Sequence, residues 1–212
     1  RRNLYPSRDR FETGHRLYDS DTILVERVYL NDLDLPATIL RLPMGYGPGD
    51  YQHRLYPYLK RMQDDRPAII LEQGVAAIRW SRGYVEDIAS AVALAVTSEI
   101  RTNRIYNVAE PQALNESQWV RIIAEVVGWN GKLVTVERAR LPEHLQSGIH
   151  TAQDLVADTS RIRGELGYSE KTSMRSAIRR TIAWESANPP EVIDPDQFDY
   201  PAEDRLLGSL AS

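Results

Sequence analysis

Apolar residues follow two rhythms along this chain, short β-branched runs and stripes at helical spacing, and their alternation predicts an α/β fold. Residues 1–17 carry no clear period and read as loop. A helix is expected from Ser20, a suitable N-cap, with Ile23, Leu24, Arg27 and Val28 at helical spacing and Asp34 and Pro36 ending it. Thr38–Leu42 reads as a buried strand, and Pro43–Tyr51, with three glycines and two prolines, as a loop with demanding turns. Leu55, Tyr58, Leu59 and Met62 mark the face of a helix closed by Pro67. Ala68–Leu71 and Ala77–Trp80 predict strands on either side of a turn at Gly74, and Val85, Ile88, Ala89, Val92 and Val96 a strong helix.

Arg104–Val108 and Lys132–Glu137 read as further strands. Between them Asn115 and Gln118 form a capping box for a helix with the buried stripe Trp119, Ile122, Ile123 and Val126 and a stop at Gly128. Asp158 or Thr159 caps a short helix ending at Gly167, and Ser173 opens one that runs to about Asn188. Pro189–Ser212 differs in kind, with four prolines and six acidic residues against one arginine. It reads as an extended acidic tail, ordered where Phe198, Tyr200, Leu206 and Leu207 find a surface.

Composition narrows the function classes. The 212 residues suffice for one domain with a core, since a chain of this size buries roughly 70% of its unfolded surface. Lys plus Arg is 26, Asp plus Glu is 30 and the net charge is −4, the wrong balance for a partner bound through nucleic-acid phosphates. The absence of cysteine excludes disulfides, thiolate metal sites and a cysteine nucleophile, and fits a cytoplasmic protein. The longest apolar stretch, Ala91–Val96, is far short of the ~20 residues that span a bilayer, so no membrane partner is expected.

Four segments in order carry a resemblance. Leu40–Asp50 (LRLPMGYGPGD), Arg82–Ala89 (RGYVEDIA), Ile105–Glu110 (IYNVAE) and Asp158–Tyr168 (DTSRIRGELGY) resemble the later motifs of the extended short-chain dehydrogenase/reductase family, the NAD-dependent epimerases and dehydratases. The resemblance implies an incomplete Rossmann-like parallel sheet with helices, plus the family's small C-terminal substrate-binding region. This unit is expected over residues 1–188, with residues 189–212 as the acidic, Pro-rich tail. It also implies NAD(P)-dependent epimerisation, dehydration or reduction of a small sugar or nucleotide-linked substrate. The family's dinucleotide-binding Gly-x-Gly-x-x-Gly turn is absent from the sequence. No cofactor is therefore expected on this chain as given, and NAD(P) is expected only if a part upstream of Arg1 exists.

By the same resemblance Tyr18 occupies the place of the catalytic tyrosine of Tyr-x-x-x-Lys, but Thr22 stands where the family has lysine. A hydroxyl brings no charge, and Asp19 and Asp21 raise a tyrosine pKa rather than lower it. With a pKa near 10, roughly 0.1% of such a tyrosine is ionised at pH 7. The expectation is a chain impaired in the family's redox reaction. Pro43, Met44 and Tyr46 are the candidate substrate-binding residues of the glycine-rich loop. Arg79 and Arg82 are candidates to meet sugar-nucleotide phosphates, and the sequence does not choose between them.

Glu86 and Asp87, as helical neighbours, point apart, and His53, His144 and His150 show no metal-ligand spacing. Two other readings stay open: a cofactor-independent hydrolase of esters or glycosides, and a non-catalytic binding module. A homo-oligomer is expected, because a partial sheet leaves an open edge near Thr38–Leu42. A second copy, the acidic tail or the basic segment Arg1–Arg16 are the candidates to cover it.

Overall fold

A computed structural model of the chain describes residues 22–99 and 103–211. Helix α1 (Thr22–Asn31) and strand β1 (Thr38–Arg41) stand where the spacing predicts them. Tyr18 and the proposed Ser20 cap lie outside the described residues. Strand β2 (Met44–Tyr46) lies within the segment read as loop. Its partner is β4 (Arg82–Tyr84), too far along the chain for a local pattern to reveal. Glycine is needed at this pairing, because a Cβ on Gly83 would lie 2.8 Å from Pro43 Cγ.

Helix α2 (Tyr56–Gln63) buries Tyr56, Leu59 and Met62, and strand β3 (Ala68–Glu72) is buried along its whole length. The expected strand Ala77–Trp80 is not one. Helix α3 (Gln73–Ala77) takes up its start, and Arg79 and Trp80 form only isolated bridges, to Asn115 and Leu155. Gly74 is not a turn but a point of close approach inside α3, where any side chain would collide with Thr151.

Helix α4 (Val85–Thr97), strand β5 (Arg104–Asn107), helix α5 (Glu116–Val127) and strand β6 (Lys132–Val136) follow as read. The capping box on α5 is complete: Asn115 Oδ1 accepts from Gln118 N, and Gln118 Oε1 accepts from Asn115 N. Gly128 ends α5 with φ 81°. Helices α6 (Ser160–Leu166) and α7 (Met174–Ala187) complete the predicted set, with Gly167 at φ 65° and Ser173 as caps.

The pairs β1–β5, β2–β4 and β3–β6 are all parallel. Parallel partners need crossover connections, and the helices between them supply these. The main core joins Tyr46, Leu59, Ile69, Trp119, Ile123 and Ile178, so α2, α5 and α7 pack around β2 and β3. Tyr106, Val108, Ile162 and Tyr168 form a second cluster beside β5. Among the described residues no helix is long and apolar enough to cross a membrane.

The reading of residues 189–212 as extended needs correction. Pro195–Phe198 makes a 3₁₀ turn, and Tyr200–Ala211 is helix α8, with Pro201 in its first turn where a missing N–H costs nothing. Glu203 of α8 is fully buried against Arg61, and Leu206 packs on Ile70, Val136 and Leu141. The tail therefore docks on β3 and β6 of its own chain. It is not the cover of the β1 edge.

Candidate functional site

Open parallel sheets bind ligands beyond the carboxyl ends of their strands. Here β2 ends at Tyr46, β4 at Tyr84, and β5 leads to Glu110. The register sets Tyr46 beside Tyr84 and Met44 beside Arg82. The Tyr46 ring lies 5.8 Å from that of Tyr84 and edge-on to Trp119 at 4.8 Å. Its hydroxyl donates to Glu110 Oε1 at 2.6 Å, and Glu110 N donates to the Arg82 carbonyl at 2.8 Å. Burial raises the Glu110 carboxyl above 4.5, outweighing the Tyr46 hydrogen bond, and Glu170 and Asp87 add to the rise. Burial and the neighbouring Glu110 push the Tyr46 hydroxyl far above its ordinary range. Tyr46 is thus a hydrogen-bond donor and not a base, while Glu110 retains a proton more readily than an exposed carboxyl does.

The two candidate arginines have opposite fates. Arg82 is buried, ion-paired with Glu116, donating to the Leu114 carbonyl at 3.3 Å and lying 4.7 Å from the Trp119 ring centroid. Glu116 also accepts from the Tyr58 hydroxyl at 2.8 Å, so the charge of Arg82 is balanced inside the fold. Arg79 is on the surface, its side chain 57% exposed and paired with Asp154 at 2.8 Å. An exposed pair of this kind contributes about 0–1 kcal/mol, so a ligand anion can replace Asp154 at little cost. Pro43 and Met44 are half-buried beside β4. Thr22 is exposed at the start of α1.

Glu86 and Asp87 diverge as adjacent helical residues should. Glu86 reaches out to Arg180, while Asp87 is buried and accepts from Lys171 N at 2.9 Å. His53 Nδ1 lies 2.7 Å from the buried Glu185, with its ring stacked on Trp184. His144 Nε2 lies 3.4 Å from Glu203, and His150 is exposed. Among the described residues no cluster of His, Asp or Glu is arranged to hold a metal ion.

Two cavities lie at strand ends, one at β2 and β4 and one at β3. The glycine-rich loop Gly45–Tyr51, with Arg54 and Val85, lines about 170 Å³. This loop does not fit a dinucleotide pyrophosphate. A Cβ on Gly47 would lie 2.5 Å from Val85 Cγ1 and 3.1 Å from the Tyr84 ring, so the space that glycine opens is filled by the chain itself.

The second cavity, about 330 Å³, lies at the carboxyl end of β3. Ile70, Leu71 and Val75 give it apolar surface, and Tyr58, Arg61, His144, Gln146 and Gln197, with the Glu72 carboxylate that accepts from Ser147 N, give it polar walls. An apolar hollow with a few converging polar groups is the usual form of a small-molecule site. Of these polar residues the sequence reading weighed His144 alone as a site residue, and not for this cavity. They come from α2, from the end of β3, from the turns after β6 and from the tail, and no motif unites them.

Residues 22–109 match the family model described as the NAD dependent epimerase/dehydratase family. The dTDP-glucose 4,6-dehydratase of Streptomyces griseus is 22% identical over 151 residues, 71% of this chain and 43% of that protein. The Shigella flexneri protein of the same name is 24% identical, covering 76% of this chain and 44% of its own length. Among solved structures, UDP-glucuronic acid 4-epimerase from Bacillus cereus, in complex with UDP-glucuronic acid and NAD, superposes with a TM-score of 0.61 at 17% identity. DesIV, the dTDP-glucose 4,6-dehydratase of Streptomyces venezuelae with NAD and TYD bound, gives 0.58 at 24% identity. Each superposition covers 78% of this chain and 50% or 48% of the other. The chain thus spans about half the length of the proteins it matches, and shares the fold of that half.

Proposed function

We propose that this chain, whose residues 22–109 match the NAD dependent epimerase/dehydratase family model, forms the sugar-nucleotide side of such an enzyme. The observation that carries this reading is the 330 Å³ cavity at the carboxyl end of β3. Its apolar surface and amide-bearing walls suit a pyrimidine nucleoside, the kind of group that the named dTDP- and UDP-sugar relatives imply.

Electrostatics orients the ligand. A wider opening between Pro142–His144 and Asp194–Asp199 carries Glu143, Asp194, Asp196 and Asp199, and this acidic mouth repels a diphosphate. The exposed Arg79, outside the cavity lining and paired with the exposed Asp154, is the arginine offered to the diphosphate. Arg82 stays within the core and supports the site from beneath.

The chain's own residues do not hold the dinucleotide. No Gly-x-Gly-x-x-Gly occurs in its sequence, the Gly47 loop is packed on Val85, and Thr22 brings no cation to the lysine position. The chain therefore binds substrate without carrying out hydride transfer on its own. It works in the cytoplasm as a homo-oligomer, joined through the apolar face of α1.

Calorimetry with UDP-glucose, dTDP-glucose, NAD and NADP tests this. At least one sugar nucleotide should bind with micromolar affinity and neither dinucleotide should. Arg79→Ala should weaken the sugar nucleotide about tenfold, since hydrogen bonds to charged groups contribute about 1.5–3 kcal/mol. Absence of binding by both sugar nucleotides would refute the substrate assignment, and micromolar NAD would refute the cofactor statement.

A further inference from the structure

The 330 Å³ cavity is closed on one side by the C-terminal segment, whose Gln197 is part of its lining. Arg61 links the cavity to that segment. Its Nη2 donates to the Gln197 carbonyl at 2.9 Å and to Glu203 Oε1 at 2.7 Å, its Nε donates to the same oxygen at 3.1 Å, and its Nη1 holds the Pro57 carbonyl at 3.0 Å. His144, a second lining residue, reaches Glu203 Oε1 at 3.4 Å. Two groups on the cavity wall therefore converge on one carboxylate of α8.

That carboxylate is placed at some cost. Glu203 is 0% exposed, and its Oε2 has no hydrogen-bond partner among the described residues. A buried ion pair gains little net stability, but removing one partner strands the other charge. Aromatic contacts surround the pair: the Arg61 guanidinium lies 4.8 Å from the Phe198 ring centroid, and Arg66 lies 4.4 Å from that of Tyr200. The Tyr200 hydroxyl donates to Asp64 at 2.5 Å, and Arg66 pairs with Asp204. The acidic tail thus meets the basic end of α2 at several points, with Leu206 seated on the β3–β6 sheet.

We infer that the segment Asp194–Ala211 is a working wall of the substrate cavity, latched by Arg61–Glu203, and that ligand binding and tail docking strengthen each other. The inference rests on the proposed sugar-nucleotide reading and adds its regulation. The physical reason is linkage: a ligand that touches the wall binds the docked form better than the undocked one, so it must also stabilise docking, by the same factor. Arg61 and Gln197 set which ligand fits, because the wall and its latch share the same guanidinium.

Two variants outside the cavity lining, Glu203→Gln and Leu206→Asp, undock α8 by different means. Two readouts apply to each: amide hydrogen exchange over residues 200–211, and calorimetric affinity for UDP-glucose and dTDP-glucose. In the wild type, a saturating sugar nucleotide should slow exchange in α8 at least threefold. Both variants should speed that exchange and weaken the ligand at least tenfold. Unchanged affinity in a variant whose α8 exchanges freely would overturn the inference and leave the substrate reading standing. So would an α8 whose exchange in the wild type ignores bound ligand, a measurement that does not depend on how the variants fold. Unchanged α8 exchange in both variants would overturn the latch. A wild type that binds neither sugar nucleotide would overturn both readings.

Discussion

Glu110 shows how a single residue takes its chemistry from its surroundings. On the surface its carboxyl would be ionised at neutral pH, but burial beside Tyr46 raises its pKa above 4.5. Above pH 4.5 the unfolded chain gives up a proton that the folded chain keeps. The contribution of Glu110 to stability is therefore complete below pH 4.5 and is lost as pH rises through the raised value. Glu110→Gln keeps an acceptor for the Tyr46 hydroxyl and removes the titration. The Tm of the variant minus that of the wild type should rise from pH 4.5 upward and then level off, by about 2–4 °C for each kcal/mol involved in a chain of this size. A difference that stays flat from pH 4 to 8 in thermal melts would contradict the assignment. Arg82 and Arg79 make the same point in charge: one is committed to Glu116 inside the fold, and the other is held by an exposed aspartate that a phosphate can displace.

The glycine-rich connection between β2 and α2 is decided by close approach more than by turn preference. Gly47 has φ 140° and sits so near Val85 that a Cβ would lie 2.5 Å from its Cγ1. Gly47→Ala has to push Val85 and Tyr84 aside, and both support the carboxyl ends of β2 and β4. Forced overpacking of this kind costs about 1–3 kcal/mol. Chemical denaturation should show a larger loss at Gly47→Ala, where overpacking adds to the strain of φ 140°, than at Gly49→Ala, where nothing lies within 4 Å of the added atom and only the strain of φ 86° acts. Equal losses at the two positions would mean that backbone strain alone governs this loop.

Across the whole molecule, the apolar surface is unevenly covered. The tail covers β3 and β6 through Leu206, but α1 buries none of its residues, with Val28 68% exposed, and Leu33 in the loop after it is 91% exposed. Tyr29 and Leu35 extend the patch, and β1 has β5 as its one strand partner among the described residues. Exposed apolar residues in such number are expected to be covered by a contact. A two-fold contact between copies is the simplest cover, since it needs one self-complementary patch. Light scattering should give about twice the 24.1 kDa of the single chain over a tenfold range of concentration. Val28→Glu should return it to the monomer. A wild type that stays at 24.1 kDa throughout would refute the pairing.

The sequence by itself determined the elements whose signals are local. Asn115 and Gln118 bracket the start of α5, Gly128 and Gly167 end their helices in the left-handed region, and the apolar stripe of α5 marks its buried face, whereas on α4 Val85, Val92 and Val96 of the expected stripe are exposed and Asp87 and Ala91 are buried. The alternation of strands and helices outside β2, α3 and α8, and the four motifs that carry the family resemblance, were likewise legible, because each lies within a dozen residues of chain. What only the tertiary structure decided involves partners far apart in sequence. Strand β2 exists because Arg82–Tyr84 lies beside it, and Gly74 is glycine because Thr151 leaves no room. Arg82 is not a surface ligand because Glu116 and Trp119 enclose it. Helix α8 forms from a segment whose prolines and acidic residues read as extended, because Glu203 meets Arg61, 142 residues earlier, and Leu206 meets the sheet. Propensity and capping act over a few neighbouring residues, whereas burial and charge pairing depend on what folding brings into contact, and the cavity between β3, α2 and the tail is made of such contacts.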